Sequence, residues 1–184
     1  MGKGTEEIIM AGFGGQGILF LGKVLAEVGM AVGRKVSWIP SYGPEMRGGT
    51  ANCSVVISDE EIASPIVLEP DTLIAMNLPS VTKFEPKIKA GGTMIYNSSL
   101  INITEFRKDI KSYAVPASEM AIEMGNDKVA NVIMAGAYAR LTGTFSEQDV
   151  VNAFPKFLPS SKKDLLEINI NAFKKGYEFA GNLN

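Results

Sequence analysis

The stretch Glu6–Val28, EEIIMAGFGGQGILFLGKVLAEV, decides how the rest of the chain is read. It opens on Ile8, Ile9, Met10 and Ala11 without strict polar alternation, which suits a short strand covered on both faces. Gly12, Gly14 and Gly17 then interrupt it, after which Ile18, Leu19, Leu21, Leu25 and Val28 recur at helical spacing. The unit is strand, glycine turn, helix. Such a turn brings main-chain N–H groups and the positive end of a helix to one point, where an anion is held without any charged side chain. Taken alone, G-x-G-x-x-G serves equally as a tight connection whose glycines permit close packing.

Outward from this unit the alternation continues. KVSWIP (Lys35–Pro40), NCSVVIS (Asn52–Ser58), DTLIAMN (Asp71–Asn77) and GTMIYN (Gly92–Asn97) read as strands, and KSYAV (Lys111–Val115) as a further one. LPSVTKFEPKIKAGG predicts a short helix ended by Pro86 and a turn at Gly91 and Gly92. ASEMAIEMG predicts a helix ending at Gly125, and DKVANVIMAGAYARLTG a longer one with Ala130, Ile133, Met134, Ala137, Tyr138 and Leu141 on one face. In that helix Ala135, Gly136 and Ala139 leave room for a close neighbour. Ser146 and Asp149 stand at capping-box spacing for a helix expected to finish before Pro155. A last helix, roughly 162–179, shows a stripe of Leu166, Ile170, Phe173 and Tyr177. Strands alternating with helices predict a three-layer α/β/α sandwich with a mostly parallel sheet, Rossmann-like, as a single domain over 1–184.

Composition narrows the function. The 184 residues suffice for one core, and 46% hydrophobic against 21% charged residues marks a folded chain. Lys+Arg 18 against Asp+Glu 20 leaves no electrostatic footprint for nucleic acid or an anionic membrane. Histidine is absent and Cys53 is the only cysteine, so the usual ligands of zinc and iron–sulfur centres are lacking and no metal or cluster is expected on this chain. Cys53, in an apolar strand, reads as a small buried side chain. With no apolar run of membrane-spanning length and no secretory leader, the expected location is the cytoplasm.

A second glycine-rich stretch, SYGPEMRGG (Ser41–Gly49), holds more than a turn needs. If the carboxyl ends of neighbouring strands share one edge, it lies beside GFGGQG. Arg47 offers a planar fork for a phosphate or carboxylate, Tyr42 a flat face and a hydroxyl, and Glu45 either orients Arg47 or merely braces it. Gly48 and Gly49 let the main chain come close to whatever is held there, and Ser41 and Gly43 belong to the same candidate site. Gly15 and Gln16 add a flexible site and an amide that both donates and accepts. A dinucleotide site expects in addition an acid about 20 residues after the glycines. Here the second strand ends in Trp38, Ile39, Pro40 and Ser41, with no acid before Glu45, which counts against an NAD- or FAD-binding oxidoreductase acting alone. Asn77 and Asn97 at strand ends read as turn residues or as part of the same cleft, and Asn131 at a helix start as a residue that satisfies backbone groups or as part of an interface.

GFGGQG and SYGPEMRGG, followed in order by NCSVVIS, PDTLIAMN, GGTMIYNSS and VANVIMAGAYARLTG, resemble the gamma subunit or gamma domain of the 2-oxoacid:ferredoxin oxidoreductases over nearly the whole chain. Those enzymes convert a 2-oxoacid and coenzyme A to an acyl-CoA and carbon dioxide while reducing ferredoxin. The resemblance implies thiamine diphosphate and Mg²⁺ in alpha and beta subunits, and iron–sulfur clusters in beta or in a ferredoxin-like delta subunit. It also implies a non-catalytic gamma chain packed against the thiamine-binding core. Gly12, Gly14, Gly15, Gln16 and Gly17, with Ser41, Tyr42, Gly43, Glu45, Arg47, Gly48 and Gly49, would then face the coenzyme A route or a neighbouring subunit. The first sixty residues look most like the 2-oxoglutarate type, with pyruvate, branched-chain 2-oxoacids and indolepyruvate also open as substrates. A free-standing small-molecule binding module is the remaining alternative.

Overall fold

A computed structural model describes residues 4–41, 50–103, 105–157 and 163–183. Six strands, β1 (Thr5–Phe13), β2 (Lys35–Ser41), β3 (Thr50–Ser58), β4 (Thr72–Ala75), β5 (Thr93–Asn97) and β6 (Lys111–Val115), form one sheet in the order β2-β3-β1-β4-β5-β6. Among the described residues six α-helices accompany it: α1 (Ile18–Ala31), α2 (Leu78–Phe84), α3 (Ala117–Glu123), α4 (Ala130–Thr142), α5 (Glu147–Phe157) and α6 (Lys163–Ala180). No helix among the described residues is long and apolar enough to cross a membrane.

The sheet is mostly parallel, with β3 as the exception. β1, β4, β5 and β6 pair in parallel, while β3 runs antiparallel between β2 and β1. Chain length explains it: the connection 42–49 is too short for a parallel crossover, which needs about a dozen residues, so β2 and β3 form a hairpin. β1 and β2 therefore point the same way but are not neighbours.

Side chains alternate between the two faces. Ile8 and Met10 of β1, with Cys53, Val55 and Ile57 of β3 and Ile74 of β4, join α1, α4, α5 and α6 in the larger apolar cluster. Ile9 and Ala11, with Leu73 and Ala75, pack on the other side against Val81 and Phe84 of α2 and Ile101. The larger side closes at a backbone contact foreseen from Ala135, Gly136 and Ala139: a Cβ on Gly136 would collide with the Phe173 carbonyl, and one on Gly176 with the Ile133 carbonyl. The buried stripe of α6 is centred on Asn169, Ala172, Phe173, Gly176 and Ala180, with the expected Leu166, Ile170 and Tyr177 half-buried at its margins.

The capping box forms as expected: the Ser146 N–H donates to the Asp149 carboxylate at 2.9 Å and the Asp149 N–H to Ser146 Oγ at 3.1 Å. Contrary to expectation, α5 runs through Pro155. Ala153 and Phe154 anchor this turn in the core, and Pro155 lies exposed within the last turn, where a missing N–H costs little because water reaches the helix end.

Candidate functional site

The glycines of the turn that ends β1 answer to different demands. Gly12 is buried, and a Cβ there would stand 2.7 Å from both Gln16 Oε1 and Ile18 Cδ1, so its role is close packing. Gly15 (φ 93°) and Gly17 (φ 72°) occupy the left-handed region that side-chain-bearing residues avoid. Gly14 and Gly15 are exposed, and a Cβ on Gly15 would meet nothing. A Cβ on Gly17, in contrast, would strike the Asn131 amide, whose Nδ2 donates to the Gly17 carbonyl at 3.0 Å. That carbonyl also accepts from the Leu21 N–H at 2.9 Å, which starts α1.

Gln16 both accepts and donates, in each case within the chain. Its Oε1 accepts from the Phe13 N–H at 2.6 Å and its Nε2 donates to the Met76 carbonyl at 3.3 Å, tying the turn to the end of β4. The turn is thus held at Gln16 and at Gly17, while Gly14 and Gly15 between β1 and these points present open main chain.

β1 is flanked by β3 on one side and β4 on the other, so chain connections diverge at its carboxyl end, the position where open α/β sheets bind ligands. A cleft of about 260 Å³ opens there, lined by Gly15, Gln16, Met76, Ser118, Asp127, Lys128 and Ala130. Ser118, at the start of α3, is set by Asn97: Asn97 Nδ2 donates to Ser118 Oγ at 2.8 Å and the Ser118 N–H to Asn97 Oδ1 at 3.3 Å. Lys128 stands exposed on a 3₁₀ turn (Asp127–Val129) whose cap is Asn126, the Lys128 N–H donating to Asn126 Oδ1 at 3.0 Å. Main-chain amides, a hydroxyl and an ammonium around one cleft are the donors a phosphate or diphosphate needs.

The expected second loop is described only at its anchors. Ser41 is exposed at the end of β2, and Thr50 pairs with Phe13, so both anchors sit at the same edge as the glycine turn. Tyr42, Gly43, Glu45, Arg47, Gly48 and Gly49 lie outside the described residues. Asn77 proves to be a cap, its Oδ1 accepting from the Ser80 N–H at 2.9 Å to begin α2. Asn131 likewise binds main chain, at Gly17 and Val132, while Asn97 binds both the N–H and the hydroxyl of Ser118, which lines the cleft. Cys53 is buried beneath α1, and burial pushes its thiol up to about 12.

Sequence reading missed Met76, Ser118, Asp127 and Lys128. None of the four carries a local signal: the pairing of β4 with β1 brings Met76 to the cleft, Asn97 holds Ser118 there across 21 residues, and the 3₁₀ turn before α4 carries Asp127 and Lys128.

The pyruvate ferredoxin/flavodoxin oxidoreductase family matches residues 7–179. The "Ketoisovalerate oxidoreductase subunit VorA" of Methanothermobacter marburgensis is 37% identical over 93% of this chain, which spans only 36% of that relative's length. The "2-oxoglutarate synthase subunit KorC" of Methanocaldococcus jannaschii is also 37% identical, over 98% of this chain and 97% of its own. Among solved structures, the keto/oxoacid ferredoxin oxidoreductase gamma subunit from Geobacter sulfurreducens superposes with a TM-score of 0.80 at 29% identity, covering 95% of this chain and 98% of that one. The 2-oxoglutarate:ferredoxin oxidoreductase from Magnetococcus marinus, with 2-oxoglutarate, coenzyme A and succinyl-CoA bound, superposes at 0.87 with 26% identity, over 99% of this chain and 32% of that one. The gamma-subunit resemblance carried by GFGGQG and SYGPEMRGG therefore holds: the chain belongs to the pyruvate ferredoxin/flavodoxin oxidoreductase family.

Proposed function

We propose that this chain is the gamma subunit of a cytoplasmic 2-oxoacid:ferredoxin oxidoreductase, built as a single gamma domain, and that its glycine turn and cleft receive the diphosphate of coenzyme A. The observation that carries the reading is the turn itself, which exposes Gly14 and Gly15 main chain beside Ser118 and Lys128 at the sheet's carboxyl edge. Arg47, between the nearby anchors Ser41 and Thr50, is the second cation proposed for the same anion. In this division of labour gamma supplies binding and orientation. Thiamine diphosphate, Mg²⁺ and the iron–sulfur clusters belong to alpha, beta and ferredoxin-like delta partners, and ferredoxin takes the electrons. The 2-oxoglutarate relative matched along its whole length favours 2-oxoglutarate as substrate; the equally similar ketoisovalerate relative supports a branched 2-oxoacid as the second reading.

The test is steady-state kinetics of the assembled complex. Lys128→Ala and Arg47→Ala are each expected to raise KM for coenzyme A by about tenfold or more, the loss of one charge-assisted hydrogen bond. The KM for the 2-oxoacid should stay unchanged. Unaltered coenzyme A kinetics in both variants would remove these residues from the site.

A further inference from the structure

β1 and β4 part company at the cleft in a way their pairing does not dictate. The parallel register runs Ile8↔Thr72, Ile9↔Leu73, Met10↔Ile74 and Ala11↔Ala75. One step further it sets Gly12 beside Met76, and the next two rungs of a parallel ladder are then the Met76 N–H to the Ala11 carbonyl and the Phe13 N–H to the Met76 carbonyl. The first is made, at 2.8 Å. In place of the second stands a side chain: the Phe13 N–H donates to Gln16 Oε1 at 2.6 Å, and Gln16 Nε2 donates to the Met76 carbonyl at 3.3 Å. A carboxamide offers a peptide's C=O and N–H together, so it completes the rung while holding the two main chains one group apart. Gly12 leaves the room, since a Cβ there would stand 2.7 Å from Gln16 Oε1 and 2.9 Å from Met76 Cβ.

The same residue shapes the tip of the turn. The Gln16 N–H donates to the Phe13 carbonyl at 3.2 Å, closing a β-turn over Phe13–Gln16 with Gly15 at the position that takes a positive φ. Gln16 therefore binds both polar main-chain groups of Phe13, one through its own main chain and one through its side chain, and Gly14 and Gly15 project between them as an exposed tip. Gln16 and Met76, the two ends of the inserted link, both line the cleft.

We infer that Gln16 is a positioning residue for the anion held at this cleft: its carboxamide wedges the ends of β1 and β4 apart and fixes the Gly14–Gly15 tip in advance of binding. The inference rests on the coenzyme A site proposed above and adds to it how the receiving shape is set. The amide acts through main chain and reads no group of the ligand. Donors fixed beforehand need no ordering when the ligand arrives, so the wedge governs affinity for coenzyme A and leaves the chemical step to the partners.

Three substitutions test it. Gln16→Ala removes the wedge, Gln16→Met keeps its length without either bond, and Gln16→Glu keeps the acceptor but, when ionised, cannot donate to Met76. In the assembled complex at pH 8 each is expected to raise KM for coenzyme A by about tenfold, with kcat and the KM for the 2-oxoacid within about twofold of the unaltered enzyme. In the full-length chain without ligand, NMR should show the Phe13 amide proton exchanging about tenfold faster in Gln16→Ala and Gln16→Met, but near the unaltered rate in Gln16→Glu, which still accepts from it. Unchanged Phe13 exchange in the alanine and methionine variants overturns the wedge. A rise in KM confined to Gln16→Glu also overturns it, because charge repulsion of the ligand then accounts for the effect. If all three leave the coenzyme A KM unmoved while Lys128→Ala raises it, Gln16 positions nothing and the coenzyme A reading stands. If Lys128→Ala and Arg47→Ala leave it unmoved as well, that reading fails, and the positioning role with it.

Discussion

One face of the sheet is closed by α1, α4, α5 and α6, the other by the two-turn α2 and the chain around Val67, Ile101 and Phe106. On the first face neighbouring helices touch main chain to main chain at Gly136 and Gly176; on the second, leucines face solvent. The difference separates what the chain needs in order to fold from what it offers to others. A helix pair with no room left between backbones cannot be rebuilt around a ligand or partner, so that side sets stability. The edge adjoining the thin side holds the cleft, where recognition can occur without disturbing the core.

The sharpest way to break the contrast is to fill the backbone contact. Gly176→Ala is expected to destabilise the chain by about 3 kcal/mol or more, because the methyl group meets a carbonyl that belongs to a helix and cannot move alone. Urea unfolding measures it, and a cost below about 1 kcal/mol would mean that α4 and α6 are free to separate. Next in size is Phe84→Ala on the thin side. Phe84 is only 5% exposed, so the expected loss is about 3 kcal/mol, as for a core aromatic. A much smaller loss would show that the thin layer contributes nothing to stability. Asn131→Ala removes the bond to the Gly17 carbonyl and should cost about 1–2 kcal/mol. It is also expected to raise KM for coenzyme A in the assembled complex, through a loosened turn.

How much of this was legible in the sequence depends on how far apart the cooperating residues lie. The strand–turn–helix unit at Gly12–Gly17, the six strands and the close-packing residues of α4 were readable because each signal is local: spacing, an apolar run, small side chains. The β2–β3 hairpin was readable too, from the shortness of its connection, yet the likeness to a parallel fold masked it. Pro155 misled because the rule against internal proline concerns a buried, continuing helix, and this one ends within a turn. Lys128 and Ser118 carried no pattern of their own. Sheet order and the docking of α4 beside the glycine turn bring them to Gly15, and these arise only when distant segments pack. The thin layer was equally hidden, since Leu78 and Leu100 sit in apolar company and nothing local marks them as exposed.

Smaller in effect is the behaviour of Cys53, which sharpens the contrast from inside the closed face. Burial raises its thiol from the ordinary 9.0 to about 12, so below about pH 8 both folded and unfolded chains hold the proton and the group contributes almost no pH dependence. Above that the unfolded thiol ionises and the folded one does not; the unfolded state binds fewer protons, and stability falls as pH rises toward 12. The slope owed to this one group is at most about 1.4 kcal/mol per pH unit. Other groups titrate in the same range, so the measurement is a difference: unfolding free energies of the unaltered chain and of Cys53→Ala at pH 8, 9 and 10. The gap between them should begin to shift against the unaltered chain between pH 8 and 9 and shift more steeply from pH 9 to 10. A thiol reagent at pH 8 should react only as fast as the chain unfolds. Reaction in the folded state would mean that α1 lifts from the sheet, and the face described here as closed would then share the openness of the other.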